Sequence, residues 1–327
     1  MLTQQQKTAK SQAKQYFLGP NAIAATIGGA EDSFVFDKNI IGVGIGPKVA
    51  SGAIIEAKDA VRVYVRVKVP KNELSNQELV PAQFGGLPTD VVEVGDVAAW
   101  QSVKTWQRFS KHRPASCGIS VGHFKVTAGT LGCLVTKNSQ HFILSNNHVL
   151  ANVNAAAVGD SVIQPGRADG GTTPADKIAT LANWKPLDFT GAANDIDAAL
   201  ALVGDTTQTD VEPDIVDIGR PQTTTKPVAM YQSVRKHGRT TGHTVGVVMD
   251  VSADLWVVYG AQRAWFEDQI AIMGVGNAPF SQPGDSGSLI VDAVTLEPVA
   301  LLFAGGNNLT FANPIDTVLT HFGVVIV

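Results

Sequence analysis

The sequence predicts a mainly β protein: a long antiparallel barrel or sandwich region, preceded by a small α+β segment and a short N-terminal helix. Three observations predict it. Beyond residue 115, short apolar runs recur with Gly, Asn, Asp and Pro between them, the pattern of many short strands with few helices. Ahead of that region, Val61 to Val69 alternates for nine residues, the period of a half-buried strand. The first 18 residues are rich in Gln, Lys and Ala and hold neither Pro nor Gly, which suits a helix.

In chain order, residues 1–18 form the helical arm, either solvated or an oligomer contact. Residues 19–110 form the small α+β domain. It opens on Ile40-Ile41-Gly42-Val43-Gly44-Ile45-Gly46; this glycine string lacks dinucleotide-loop spacing and reads as a tight turn or bulge. The alternating strand follows and ends at Pro70. A short helix is expected over Asn72 to Leu79 and another strand over Thr89 to Val94. Residues 96–115 read as a linker. The β region, 111–327, has strands expected at Gly132 to Thr136, His141 to Leu144, Ala198 to Val203, Val245 to Val251, Leu255 to Tyr259, Ser288 to Val291 and Val299 to Phe303. A last helix is expected from Pro314 to His321. The alternating N-terminal strand is suited to adding to a sheet of another subunit, so the N-terminal region is the candidate contact for a homo-oligomer.

Composition narrows the function. Net charge is −4, from 25 Lys+Arg and 29 Asp+Glu, which argues against a nucleic-acid partner that would demand a basic excess. No apolar stretch is long enough for a membrane helix, and the N-terminus lacks the apolar core of a secretory signal; a cytoplasmic protein with no membrane partner is expected. The two cysteines, Cys117 and Cys133, exclude a disulfide framework and a four-cysteine zinc site. His112, Cys117, His123, His141 and His148 include metal-ligand types but no tight zinc spacing, so neither a metal nor another cofactor is expected.

Three segments carry chemistry. In Leu144-Ser145-Asn146-Asn147-His148, an apolar strand runs into a histidine, the side chain suited to proton transfer near neutrality. In Asn194-Asp195-Ile196-Asp197-Ala198, two carboxylates open an apolar strand; a buried carboxylate needs a partner, and an imidazole N–H is a suitable one. In Pro283-Gly284-Asp285-Ser286-Gly287-Ser288, glycines let the backbone turn tightly, so that amide N–H groups converge as an oxyanion hole requires. The chain order His, Asp, Ser differs from the Ser, Asp, His order of α/β-hydrolases, and Ser288 stands where their nucleophile motif needs a glycine.

On these motifs the sequence resembles the chymotrypsin-like (trypsin-like) serine proteases over residues 115–327. Lys236-His237-Gly238-Arg239-Thr240-Thr241-Gly242 looks like the Arg-Thr-Thr-Gly stretch of α-lytic and streptogrisin-type bacterial enzymes. The N-terminal extension is more similar to intracellular trypsin-like proteins such as the plant narrow-leaf protein. The resemblance implies two six-stranded antiparallel β-barrels and a serine endopeptidase acting on polypeptides. It assigns Ser286 as nucleophile, His148 as base and Asp197, in preference to Asp195, as the carboxylate orienting it. The amides of Gly284 and Ser286 become the oxyanion hole, and Arg239 the buried ion-pair partner of Asp285. Phe280, six residues before the serine, becomes the base of the primary pocket, with Ser281, Ala304 and Gly305 around it. With no acid there, an apolar side chain before the cut is expected. Departures are Asn146 and Asn147 in place of two small residues, and Leu301-Leu302-Phe303-Ala304-Gly305-Gly306, where a serine is usual near the substrate-binding strand. The rival reading is a catalytically silent relative that binds peptides by strand addition.

Overall fold

The structure is a computed structural model describing residues 2–18, 39–50, 53–74, 79–95, 97–99, 108–204, 210–276 and 278–327. Helix α1 (Gln4–Leu18) opens it. Thr3 and Gln6 form a reciprocal cap: Gln6 N donates to Thr3 Oγ1 at 3.2 Å and Thr3 N to Gln6 Oε1 at 2.6 Å, satisfying donors a helix start leaves orphaned. Ala9 and Ala13, one turn apart, are buried and let the helix lie close against the sheet. Lys10 reaches across to Asp254 at 2.8 Å. The arm expected to be solvated or an oligomer contact therefore packs on its own chain.

Strands β1 (Ile40–Ala50) and β2 (Ala53–Val65) pair antiparallel, with β3 (Gln83–Phe84) and β4 (Leu87–Glu93) beyond them and β5 (Ala98–Ala99) apart. The three glycines of β1 mark a close approach rather than a turn. A Cβ on Gly42 would meet the carbonyl of Asp254, one on Gly44 the Asp250 carboxylate, and one on Gly46 Arg62 and the Met249 carbonyl. Arg62 and Tyr64, on the face expected to be solvated, are buried, so β2 is covered on both sides. It stops at Val65; the exposed Val67 and Val69 lie outside it. Of the helix expected over Asn72 to Leu79, one short 3₁₀ turn at Lys71–Glu73 is present; residues 75–78, like 19–38 and, in the expected linker, 96 and 100–107, lie outside the described residues.

The first barrel follows β6 (Ala115–Cys117) and is built from β7 (Ser120–His123), β8 (Gly129–Thr130), β9 (Cys133–Lys137), β10 (Gln140–Ser145), β11 (Ser161–Ile163), β12 (Lys177–Trp184) and β14 (Ala199–Val203), with the short α2 (Asn147–Leu150) after β10 and β13 (Ala193–Asn194) before β14. The antiparallel order is β9-β10-β14-β12-β11-β7-β8. β8 runs on into β9 with two residues between, pairing first with β7 and then with β10: Leu131 N donates to Ile119 O and Gly132 N to Leu144 O. That continuity closes the sheet. Its interior holds Val121, Leu131, Val135, Ile143, Leu181 and Leu200. β15 (Val211–Ile215) pairs with β6 outside it.

The second barrel comprises β16 (Ser233–Gly238), β17 (Gly242–Tyr259), β18 (Gln262–Gly274), β19 (Leu289–Asp292), β20 (Pro298–Gly305) and β21 (Thr310–Pro314). Each pairs antiparallel with the next in the circuit β16-β17-β18-β21-β20-β19, and β19 pairs back to β16. These two closed six-stranded circuits form the chymotrypsin-like double β-barrel. Helix α3 (Ile315–Phe322) and β22 (Val325–Ile326) end the described chain, with β22 on β9 of the first barrel.

β17 and β18 outrun the barrel as a long hairpin. β1 pairs with the far half of β17, Gly42 opposite Leu255, so the described strands of the expected 19–110 domain and those of the second barrel form one sheet. A shared core joins them, including Ile41, Val43, Tyr64, Leu255, Trp265, Phe266, Phe303 and Phe311.

Candidate active site

His148 sits in the one-turn helix α2 at the end of β10. Both preceding asparagines fix that turn. Asn146 Nδ2 donates to Asp197 O at 2.7 Å. Asn147 Nδ2 donates to Lys185 O and Asn154 Oδ1, both at 2.7 Å. Asn146 thus ties the histidine turn to Asp197, and Asn147 ties it to Lys185 and Asn154.

Asp197 lies just before β14 with its side chain wholly buried. Its Oδ2 stands 2.5 Å from His148 Nδ1, and its Oδ1 accepts His148 N at 3.3 Å. Two second-barrel residues complete its surroundings. Tyr259, the last residue of β17, donates its hydroxyl to Oδ2 at 2.8 Å, and Asn313 Oδ1 accepts Asp197 N at 3.0 Å. Asp195 is half-exposed and pairs with Lys185 at 3.2 Å; it does not meet His148. A carboxylate near Tyr259 makes its phenolate costly. Burial first, then Asp197, push its hydroxyl well above the ordinary tyrosine range, so it stays a donor. The ring lies edge-on to His148, centroids 5.8 Å apart.

Ser286 lies in the loop before β19, between Gly284 (φ 101°) and Gly287 (φ 94°). Both glycines occupy the left-handed region that side chains disfavour. The loop is tied to both barrels. Thr130 N donates to Ser286 O and Thr130 Oγ1 to Gly284 O, each at 2.8 Å. Gly287 N donates to Leu302 O at 2.8 Å and Leu302 N to Ser288 O at 3.0 Å. Gly129 stands between Val149, the neighbour of His148, and the Ser286 carbonyl, with no room for a Cβ. The histidine turn and the serine loop thus meet across one glycine. Ser286 Oγ donates to Phe303 O at 3.3 Å, while His148 Nε2 is buried and makes no hydrogen bond among the described residues.

The expected Arg239–Asp285 ion pair is corrected. Arg239 turns to the first barrel and grips Asp169: Nε to Oδ2 at 2.6 Å and Nη2 to Oδ1 at 2.5 Å, both side chains without exposure. Ser120 Oγ also donates to Asp169, and the Phe109 ring lies 4.3 Å from the guanidinium carbon. Asp285 accepts instead Thr240 N, Thr241 N, Thr241 Oγ1 and Gln282 N at 2.7–3.1 Å. Its nearest cation is Lys236, at 3.7 Å. The turn from Gly238 to Gly242 folds its own amides onto the carboxylate. A Cβ at Gly238 would collide with Asp285, so the turn backbone packs directly against the carboxylate. Burial pushes the Lys236 ammonium down to about 8.

The expected pocket is corrected in part. Phe280 is buried inside the second barrel with Val234, Val248 and Ile272. Gly246 gives its ring the space there, and an apolar ring gains more in the barrel interior than at a solvated pocket floor. Ser281 is buried, its hydroxyl 2.6 Å from that of Thr310. Ala304 and Gly305 lie on β20 beside β5. Lys236, Asp169, Tyr259 and Thr310 escaped the sequence reading. Lys236 alone had a signal, its place three residues before the Arg-Thr-Thr-Gly motif.

No family model matches the chain, and no curated protein matches it by sequence. Among solved structures it is similar to Protease A of Thermobifida fusca, at 17% identity and TM-score 0.45, covering 65% of this chain and 99% of that one. It is also similar to a glutamic acid specific serine protease, at 15% identity and TM-score 0.46, covering 65% and 100%. Nocardiopsis protease follows at 14% identity and TM-score 0.45, covering 65% and 99%.

Proposed function

We propose that this chain is a serine endopeptidase acting on polypeptides through Ser286, His148 and Asp197. The observation that carries the reading is the sealed His148–Asp197 contact at 2.5 Å, locked by the Tyr259 hydroxyl, which holds one imidazole nitrogen and leaves the other buried without a partner among the described residues. Such an arrangement fixes the tautomer and leaves Nε2 to take a proton. Ser286 Oγ rotates from Phe303 O toward Nε2, a side-chain rotamer change of the fast kind. It attacks the peptide carbonyl carbon as its proton passes to His148. Asp197 stabilises the imidazolium, and the amides of Gly284 and Ser286 stabilise the oxyanion. The C–N bond breaks, the leaving amine takes the proton from His148, and water hydrolyses the ester by the same steps reversed in role.

Fluorophosphonate labelling tests this. Wild type and Asp195→Asn label at Ser286; Ser286→Ala and His148→Ala do not. Labelling that persists in Ser286→Ala refutes the assignment. A folded wild type that neither labels nor cleaves peptide supports the silent peptide-binding reading, which the Ser286–Phe303 hydrogen bond favours.

A further inference from the structure

Next to Ser286, the end of β20 is paired by the chain itself. Ala98 of β5 stands opposite Gly305 and Ala99 opposite Ala304, antiparallel to β20. Rising residue numbers on β5 therefore run toward Phe303, whose carbonyl holds Ser286 Oγ. The other edge of the segment is held by β17: Val258 N donates to Val97 O at 3.1 Å, and Val258 pairs with Ala98 in parallel. Upstream, Val94 N donates to Val65 O at 2.9 Å and Asn307 N to Val94 O at 3.2 Å. Val94 and Val97 are wholly buried in the core that contains Phe303. A Cβ on Gly306 would strike the Val94 carbonyl, so the residue just after β20 lets this segment in. Ser286 itself has 0% exposure and His148 4%.

Direction is the informative feature. A peptide acylates a serine through the carbonyl at the C-terminal end of its acyl half. An acyl half lying along Ala304 and Gly305 must run N-to-C toward Ser286, as β5 does. Strand addition of this kind gives affinity through main-chain bonds and is tolerant of sequence. We infer that β5 is the resident ligand of the substrate-strand site: an extended polypeptide binds by antiparallel addition to Ala304–Gly305 and must first replace Val97–Ala99. The inference rests on the reading of Ser286 as the attacking group. As an intramolecular occupant, β5 competes at an effective concentration on the order of millimolar, and the apparent affinity for a peptide in trans falls by the fraction of molecules with the site open.

The test uses the full chain carrying Ser286→Ala, titrated with a fluorescein-labelled peptide of residues 94–99, Val-Gly-Asp-Val-Ala-Ala. Ala98→Pro removes a strand N–H, and Ala98→Val keeps it. The proline variant is expected to bind the peptide at least about tenfold more tightly than the parent or the valine variant. Equal affinity in all three overturns the inference. Hydrogen exchange on the unsubstituted chain gives a second measure: residues 97–99 are expected to be protected alone and to lose protection at saturating peptide, and unchanged protection overturns it. Fluorophosphonate labelling separates the two readings. If the peptide affinities differ but no form labels, the protease reading fails and strand replacement stands. If Ala98→Pro and parent bearing Ser286 label at the same rate, β5 does not cover the site and the inference fails.

Discussion

Arg239 and Asp169 give the sharpest test of how the two barrels are joined. The guanidinium makes two charge-assisted bonds to a carboxylate whose remaining donor is Ser120, and neither side chain has exposed surface. Removing one partner leaves the other charged and buried, at a cost of about 3–5 kcal/mol. At roughly 2–4 °C per kcal/mol for a region of this size, Arg239→Met should melt about 6–20 °C lower. Asp169→Leu should cost a similar amount. The pair Arg239→Met/Asp169→Leu should cost far less than the sum, because no unpaired charge remains, giving a coupling of about 3 kcal/mol. Denaturant unfolding at constant m-value is the assay. The competing pairing is Arg239 with Asp285, and the parallel cycle with Asp285→Asn measures it. A larger coupling there than with Asp169 would refute the assignment of Arg239 to the first barrel.

Tyr259→Phe keeps the ring against His148 and Phe189 but removes a hydrogen bond to a buried carboxylate, worth about 1.5–3 kcal/mol; kcat on a peptide substrate should fall about tenfold or more with KM little changed, and an unaltered kcat would show that the hydroxyl does no positioning. Lys236 holds its proton only up to about 8 when folded, against 10.5 in an open chain, because burial disfavours its charge. Unfolding takes up a proton in that window, so stability should rise by up to roughly 3 kcal/mol as pH goes from about 8 to 10.5, a rise that Lys236→Met abolishes in pH-dependent denaturant melts. Asp250 behaves oppositely: burial raises its carboxyl from 3.8 to about 6, with Tyr64 OH donating at 2.6 Å. The folded state keeps a proton that the unfolded state releases, so stability present below about 4 should decline by roughly 3 kcal/mol as pH rises through 6; Asp250→Asn should flatten that decline.

Much of the fold was legible because it is written in local patterns. Short apolar runs with turn residues between them are the strands of the two barrels. The apolar periodicity of Ile315, Val318 and Phe322, stopped by the left-handed Gly323, is α3 almost to the residue. His148 and Ser286 stood out because each follows or precedes an apolar strand within a compact motif. What escaped depends on where side chains turn after the chain has folded. Arg239 and Lys236 lie three residues apart in one motif, and only the turn's occupation of Asp285 by its own amides decides which cation approaches it. Phe280 faces inward because Gly246, 34 positions earlier in sequence, leaves a gap. The glycine string of β1 encodes the nearness of β17, a contact over 200 residues away in sequence. The Thr3–Gln6 cap that starts α1 has a Thr-x-x-Gln spacing that the sequence reading passed over.

The extended end of β17 is where these elements converge. Within six residues it receives β1 at Leu255, β5 at Val258, and delivers Tyr259 to Asp197. The N-terminal strands are therefore not remote from the triad. They cover one face of the hairpin that supports it, burying Leu255, Trp265 and Phe266 in the core shared with Ile41, Val43 and Tyr64. Taking β1 and β2 away would open that apolar face to water and loosen the strand end that holds the Tyr259 hydroxyl against the carboxylate. The same strand end grips Val97 and so anchors the segment lying along β20. The placement of the aspartate's second donor and the occupation of the substrate strand are thus consequences of one extension of one strand beyond its barrel.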